Sequence, residues 1–184
     1  MRNPFEARWA NFFMRVAEAV RDLSYSEIEK VGAVVVDGNT LQISAFGYNA
    51  LPQGSVNLME QKDSDGNLVP VPDIISAVQN ALLRSRMSSA YGFGDVLFTT
   101  KMPSAQDVVL IANTNIRYVV VPDLNGDPDG LLKLDDYNIT VYSLSQLKDN
   151  VSDDEKIRAH LAGLMKSKDD VEAETSDDNL NEHE

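Results

Sequence analysis

The order in which helical and strand patterns follow one another constrains the fold of this chain more than any other feature. Residues 4–22 place apolar side chains three and four positions apart, the spacing of one helical face. Two apolar strands at 31–36 and 41–46 follow, joined by the turn Asp37-Gly38-Asn39, which predicts a hairpin. A polar segment at 47–72 then has the composition of a long loop.

The second half of the chain repeats a unit in which a helix precedes a strand. The predicted segments are a helix over 73–87, a strand at 96–99, a helix over 103–113, a buried strand at 116–121, a loop at 122–136, a strand at 139–142 and helical structure from 143. Five strands alternating with helices in this order predict an α/β fold. We expect a three-layer α/β/α sandwich around one mixed five-stranded sheet.

The length of the chain and the distribution of its charge predict one domain and a tail. A chain of 184 residues is long enough for one well-buried core. Residues 151–184 carry 11 acidic and 4 basic side chains, and their apolar residues end near Met165. We therefore expect a domain at 1–150 and an acidic extension at 151–184 that forms a short helix and is then disordered. The acidic extension either solvates the domain or acts as a protein-binding arm.

The overall charge and the absence of cysteine narrow the functional classes. A formal net charge of -13 opposes binding to nucleic acid or to an anionic membrane, although a small nucleotide needs only a local site. The chain has no cysteine, which excludes disulfides, thiolate zinc sites and cysteine nucleophiles. It also lacks a signal-peptide pattern and an apolar stretch of membrane-spanning length, so we expect a cytoplasmic protein.

Three segments of the first half match motifs of one enzyme family. They are Arg8-Trp9 with Phe13-Met14 and Ala17, the strand at 30–36, and the loop Gly47-Tyr48-Asn49-Ala50-Leu51-Pro52-Gln53-Gly54. The loop resembles the GYNGxPxG motif of the deoxycytidylate (dCMP) deaminases, with Ala50 in place of the second glycine. The chain is similar to this family, and thus to the cytidine deaminase-like fold, from about residue 8 to 121. The resemblance implies that Gly47, Tyr48, Asn49 and Gly54 contribute to nucleotide binding, with Asn49 facing the sugar.

The two catalytic motifs of that family are recognisable here by position alone. Residues 76–82 lie where the family has His-Ala-Glu, and residues 103–107 lie where it has Pro-Cys-x-x-Cys. The resemblance places the zinc-binding histidine at Ser76, the proton-shuttling glutamate at Val78, and the two thiolates at Ser104 and Asp107. The only histidines, His160 and His183, belong to the acidic extension.

Those four replacements predict that the family's zinc cofactor is absent. One imidazole and two thiolates hold zinc in such sites, while the fourth position activates water. Valine cannot shuttle a proton, and serine hydroxyls are poor zinc ligands. The serines have a second interpretation, because Ser76-x-x-Gln79 and Ser104-x-x-Asp107 both match a capping box at a helix start. The alternative to capping alone is an altered polar pocket that still binds a ligand.

Other candidate sites have weaker support in the sequence. Asn125, Asp127, Asp129 and Gly130, with Asp136 at the twelfth position, match the spacing of an EF-hand calcium loop, but the preceding strand and Pro128 argue against calcium. Lys30, Lys62 and Lys101 could each contribute one positive charge toward a phosphate. A Ser-His-Asp hydrolase is excluded, because both histidines of the sequence lie in the tail. The sequence also contains no Walker motif and no dinucleotide-binding motif.

The leading hypothesis is a catalytically inactive dCMP deaminase-like protein. In one version it binds a pyrimidine deoxynucleotide as a sensor or regulatory subunit. In the other it is a structural subunit that forms a homo-oligomer or a hetero-oligomer with another protein. The alternative is an active zinc-dependent dCMP deaminase, which the family resemblance alone would favour.

Overall fold

A five-stranded mixed sheet forms the centre of the computed structural model, which describes residues 3–85 and 94–148. The strands are β1 (Gly32–Val36), β2 (Ile43–Tyr48), β5 (Asp95–Thr99), β6 (Ile116–Val121) and β7 (Thr140–Ser143). Their order across the sheet is β2-β1-β5-β6-β7. Strand β1 is antiparallel to both of its neighbours, whereas β5, β6 and β7 run parallel. The predicted mixed five-stranded sheet is confirmed.

Helices cover both faces of this sheet. The helices are α1 (Ala7–Arg21), α2 (Ala77–Arg84), α3 (Ala105–Ala112), α4 (Pro128–Asp136) and the short α5 (Leu144–Lys148). The side chains of α1 and α5 share one core cluster with alternate residues of the sheet, among them Val34, Val36 and Phe98. Because successive strand residues point to opposite faces, the neighbouring residues Val35 and Leu97 are buried on the α2 and α3 side. The three-layer α/β/α sandwich follows from this alternation.

Two segments predicted as loops contain regular structure. Strands β3 (Glu60–Lys62) and β4 (Leu68–Pro70) form a separate two-stranded hairpin inside the segment 47–72. These strands have three residues each and lack an alternating apolar pattern, which is why the sequence indicated only a loop. The Asp63 carboxylate accepts hydrogen bonds from the backbone N–H groups of Asp65 and Asn67 and closes the turn.

The segment 122–136 was also predicted as a loop, and its second half is helix α4. The Asp127 side chain caps this helix by accepting a hydrogen bond from the Asp129 N–H, and Pro128 occupies its first turn. The asparagine, aspartate and glycine residues that resembled an EF-hand loop therefore belong partly to a capped helix. The segment whose residue spacing matches an EF-hand is therefore not folded as an EF-hand loop.

Several predicted boundaries shift by a few residues. Helix α1 begins at Ala7 and leaves Pro4 in the preceding turn, while β2 begins at Ile43 because the turn after β1 extends to Gln42. Helix α2 begins at Ala77 rather than at 73, since Ser76 is its N-cap. The expected end of the domain at 150 and the acidic extension lie outside the described residues. No helix within the described ranges is long and apolar enough to cross a membrane.

Candidate functional site

A cavity of about 290 Å³ opens at the edge of the sheet where β1 begins and where β2 and β5 end. Val31 precedes β1, Asn49 follows β2, and Lys101 follows β5, so three strand ends contribute to its lining. The N-termini of α2 and α3 close its floor through Ser76 and Ser104. Open α/β sheets characteristically bind ligands at the carboxyl ends of their strands, so this cavity is the candidate functional site.

The four positions that correspond to the family's catalytic motifs meet in this one cavity. Ser76, Val78, Ser104 and Asp107 all line it, although up to 31 residues separate them in the sequence. Val78 lies in the first turn of α2 and contributes an apolar, buried side chain. The alignment of the two motifs by position is therefore consistent with the spatial arrangement of these residues.

Both helix starts at the cavity floor are capping boxes, as the sequence predicted. The Ser76 hydroxyl accepts a hydrogen bond from the Gln79 N–H at 3.0 Å, and the Gln79 side chain accepts one from the Ser76 N–H at 3.3 Å. Ser104 and Asp107 make the same reciprocal pair, with both distances at 3.2 Å. Each box satisfies two backbone donors that a helix start would otherwise leave unpaired.

A contact that the sequence did not predict joins the two capping boxes. The Ser76 hydroxyl donates to Asp107 Oδ1 at 2.6 Å, and the Ser104 hydroxyl donates to Asp107 Oδ2 at 2.9 Å. Asp107 is only 5% exposed, so its carboxylate is shielded from bulk water on most sides. This network, Ser76–Asp107–Ser104, ties the N-terminus of α2 to that of α3.

Known proteins that are similar to this chain include members of the family that the motifs resemble. No protein-family model matches the chain. A deoxycytidylate deaminase of Schizosaccharomyces pombe is 29% identical over 125 residues, which is 64% of this chain and 38% of the relative. The dCMP deaminase of the cyanophage S-TIM5, solved in complex with dCMP and dUMP, superposes with a TM-score of 0.64 at 29% identity, covering 74% of this chain and 96% of that one. The chain is dCMP deaminase-like.

A more distant solved structure supports the fold alone. A diaminohydroxyphosphoribosylaminopyrimidine deaminase/5-amino-6-(5-phosphoribosylamino)uracil reductase from Thermotoga maritima gives a TM-score of 0.54 at 20% identity. The match covers 78% of this chain and 39% of that one. The dCMP deaminase-like chain spans about 38% of the length of the Schizosaccharomyces pombe relative. It spans 96% of the cyanophage enzyme.

The side chains at the cavity floor do not fit the zinc that the dCMP deaminase fold implies. Tetrahedral zinc sites of this kind use imidazole and thiolate donors, and here the aligned positions supply two hydroxyls and one carboxylate. Both hydroxyl protons are already donated to Asp107. Across residues 3–85 and 94–148, no group of three or more histidine, cysteine, aspartate or glutamate side chains could hold a metal ion.

The predicted nucleotide-binding residues divide between the cavity and the scaffold. Asn49 lines the cavity, but its amide is engaged: it accepts a hydrogen bond from the Val31 N–H at 2.7 Å and donates to the Glu29 carbonyl at 2.8 Å. This side chain therefore fixes the segment that enters β1. One N–H and one lone pair of the Asn49 amide remain for a ligand.

The glycines and the tyrosine of the same loop lie outside the described lining of the cavity. A Cβ atom on Gly47 would lie 2.3 Å from the Ala81 nitrogen, so this glycine allows α2 to pack directly on β2. Tyr48 packs against the core on the opposite face, and its carbonyl accepts a hydrogen bond from Asn80. Gly54 adopts a φ of +92° in an open turn. These three residues have structural explanations for their identity.

An ion pair and an apolar wall complete the cavity. At its rim, Lys101 pairs with Glu29, and both side chains are about half exposed. Met102, Pro103, Pro70 and Ile74 form part of the apolar wall, and of these four only Pro103 was singled out from the sequence, as the proline of the second catalytic motif. Pro70 ends β4 and Ile74 follows it, so the β3–β4 hairpin brings both to the cavity, and no strand pattern in the sequence predicts that hairpin. Lys30 and Lys62 are not among the described residues that line the cavity.

Proposed function

We propose that this dCMP deaminase-like chain is a non-catalytic binding protein that takes up a pyrimidine deoxynucleotide in the cavity and does not deaminate it. The observation that carries this proposal is the convergence of Ser76, Val78, Ser104 and Asp107 on the cavity floor, where the residue types match none of the family's catalytic side chains. The positions of the site correspond to those of the family, whereas the side chains at these positions differ.

Hydrolytic deamination requires an activated water and a proton shuttle. Zinc lowers the pKa of a bound water from about 15.7 to about 7, which makes hydroxide available at neutral pH. The resemblance assigns proton transfer to a glutamate at position 78, and a valine cannot perform it. The Asp107 carboxylate cannot replace zinc, because a negative charge disfavours the hydroxide that zinc stabilises. We therefore propose that the chain neither requires zinc nor turns over dCMP.

The shape and lining of the cavity support a small-molecule ligand. Its volume of about 290 Å³ and its mostly apolar wall with a few convergent polar groups are typical of small-ligand sites. The similar cyanophage protein was solved with dCMP and dUMP, which makes a pyrimidine deoxynucleotide the first ligand to test here.

Three measurements on the purified full chain test this proposal. Elemental analysis is expected to find no stoichiometric zinc, and an assay for conversion of dCMP to dUMP is expected to find no turnover in the presence of added zinc. Calorimetry with dCMP is expected to give a saturable heat. Zinc at one equivalent together with turnover would establish the alternative, an active dCMP deaminase. The absence of binding to dCMP, dUMP and their triphosphates would remove the nucleotide-binding role.

A role as a subunit of an assembly has its own support on the outer side of α2 and α3. Leu83 is 75% exposed, and Val109 and Leu110 are 39% and 44% exposed. The only charged residues of the two helices are Arg84 and the buried Asp107. Interface cores are depleted in charge, and this side of the two helices exposes one charged side chain, that of Arg84, which allows an acidic chain to pack against a second copy of itself without opposing carboxylates.

Light scattering tests this assembly. We expect the wild type to form an oligomer of the same chain and Leu110→Glu to reduce its mass. Leu68→Glu is a matched control, since Leu68 is 47% exposed and belongs to β4 of the separate hairpin rather than to α2 or α3. A monomeric wild type that also fails to associate with an active dCMP deaminase would exclude the subunit role.

A further inference from the structure

The loop between β6 and α4 rests on the segment that forms one wall of the cavity. Gly126 lies so close to Met102 that a Cβ atom on it would be 2.8 Å from the Met102 Cβ. The Asp127 carboxylate accepts a hydrogen bond from the Ala105 N–H at 3.3 Å. Met102 lines the cavity, and Ala105 is the first residue of α3. The position of this loop is therefore coupled to the cavity wall and to the start of α3.

The fold requires a glycine at position 126. Its φ of +141° lies in a region that favours glycine, and a side chain there would meet Met102. Gly126 is exposed, and its N–H donates no hydrogen bond to another described residue. The nitrogen of this peptide bond is therefore open to solvent and is not shielded by a side chain.

The residue before this glycine, Asn125, is the only asparagine of the sequence that a glycine follows. Asn125 is exposed, and its backbone N–H donates to Asp123 Oδ1 at 2.8 Å. Its side-chain amide has no hydrogen bond to the described residues and can turn toward the next peptide nitrogen. Asn57 is also exposed, but it precedes Leu58, whose N–H already donates to the Val56 carbonyl at 2.7 Å.

We infer that Asn125 is a site of spontaneous deamidation in the folded protein, and that its isoaspartate product loosens the loop from the cavity wall and from the start of α3. This chemistry is independent of the proposed function. The Gly126 nitrogen, after losing its proton to base, attacks Asn125 Cγ. The new bond closes a five-membered succinimide while the bond from Cγ to Nδ2 breaks, and the amide nitrogen leaves as ammonia with a proton taken from water.

Water then opens the succinimide in one of two ways. Cleavage between the Gly126 nitrogen and Cγ gives aspartate, whereas cleavage between that nitrogen and the main-chain carbonyl carbon gives isoaspartate. Over both steps one water is consumed and one ammonia is released, and nothing is oxidised or reduced. Each product adds one negative charge beside Asp123 and Asp127. Isoaspartate also lengthens the main chain by one methylene before Gly126.

The lengthened main chain disturbs both contacts of this loop. An added methylene moves Gly126 relative to Met102, at a point where even a single carbon atom has no room. Displacement of Asp127 breaks its bond to the Ala105 N–H and weakens its cap on α4. The isoaspartate form should therefore be less stable than the original chain.

Incubation of the purified full chain at mildly alkaline pH, followed by trypsin digestion and mass spectrometry, tests the site. Trypsin releases residues 118–133, whose only asparagine is Asn125. We expect this peptide to gain the mass difference between an amide and an acid, and to separate into two isomers, before Asn57 changes. Conversion should be faster at higher pH, because the Gly126 nitrogen attacks as an anion.

Asn125→Gln is the matched control, since glutamine keeps an uncharged amide but would have to close a larger ring. The isoaspartate form, separated by chromatography, should melt about 2–8 °C below the fresh protein, the shift expected when the Asp127 bonds are lost. Asn125→Gln should keep its Tm through the same incubation.

Conversion of Asn125 only after unfolding in urea, or at the same rate as Asn57, would overturn the assignment of the site. An isoaspartate form with an unchanged Tm would overturn the coupling of the loop to Met102 and Ala105. Calorimetry with dCMP on fresh protein tests the proposed function separately, so failure of one leaves the other in place.

Discussion

Truncation of Asp107 should destabilise the domain far more than truncation of an ordinary helix-capping aspartate. In Asp107→Ala, the cavity floor loses the hydrogen bonds from the Ser76 and Ser104 hydroxyls and the bond from the Ser104 N–H. Two of these bonds join hydroxyls to a buried carboxylate, and the third completes the capping box of α3. The ends of α2 and α3 would then no longer be connected at this point.

The size of the effect follows from these three bonds. A hydrogen bond to a charged group contributes about 1.5–3 kcal/mol, and the lower end applies because the freed hydroxyls can turn to water in the cavity. The remaining backbone bond adds about 0.5–1 kcal/mol. We expect a loss of about 3.5–4 kcal/mol in the free energy of unfolding. For a chain of this size, this corresponds to a fall of about 7–16 °C in Tm.

Urea denaturation followed by circular dichroism measures this loss, with Asp127→Ala as the control. Asp127 caps α4 through its bond to the Asp129 N–H and also accepts a bond from the Ala105 N–H at 3.3 Å, so its truncation should cost about 1–2 kcal/mol. The m-values should be unchanged if the variants unfold in one step. A double-mutant cycle with Ser76→Ala should give a coupling of about 1–2 kcal/mol between Ser76 and Asp107.

Two results would show that the network is not what holds the floor together. One is an Asp107→Ala variant that loses no more stability than Asp127→Ala. The other is strict additivity of the Ser76 and Asp107 truncations, which would mean that their 2.6 Å contact contributes no free energy of its own.

Three further predictions address the pH dependence, the family chemistry and the packing of α2. Burial, and then the nearby Asp37 carboxylate, raise the pKa of Asp95 above its ordinary value of 3.8, so stability decreases as pH rises from that value through the raised pKa. Asp95→Asn should therefore raise Tm at pH 7 in thermal melts, with a gain that shrinks toward pH 4; an equal gain at both pH values would contradict this. Restoring the family's motif side chains should create stoichiometric zinc binding, detected by elemental analysis, in the variant S76H/V78E/S104C/D107C, whereas V78E alone should bind none. Gly47→Ala should leave little folded protein by circular dichroism, because its Cβ would lie 2.5 Å from the Ala77 carbonyl oxygen, and a native-like melt would contradict the packing.

The parts of the fold that local patterns determine were predicted from the sequence. The apolar run of β1, the largely apolar run of β6 and the helical spacing of α1 identify these elements because burial selects apolar residues at the positions that face the core. Both capping boxes were also predictable, since their partners are three residues apart in the chain. Helix α4 was missed because Asp127 and Pro128 begin a helix with residue types that are equally common in turns.

The site was predicted as a set of positions but not as a network. The family resemblance brought Ser76 and Asp107 into one site, yet neither spacing nor composition indicates that one side chain donates to the other across 31 residues. That contact depends on how β5 places α3 beside α2, which is a property of the tertiary structure. Likewise, nothing in the sequence showed that the amide of Asn49 is engaged by the backbone at Glu29 and Val31.

The negative charge that faces the starts of α2 and α3 is part of the chain itself. A diffusible anion at such a junction would be present only in proportion to its concentration, whereas a covalently attached carboxylate is present in every molecule. Because Asp107 is buried, dissolved salt also screens it little. The geometry of the cavity floor should thus depend little on the ionic composition of the surroundings.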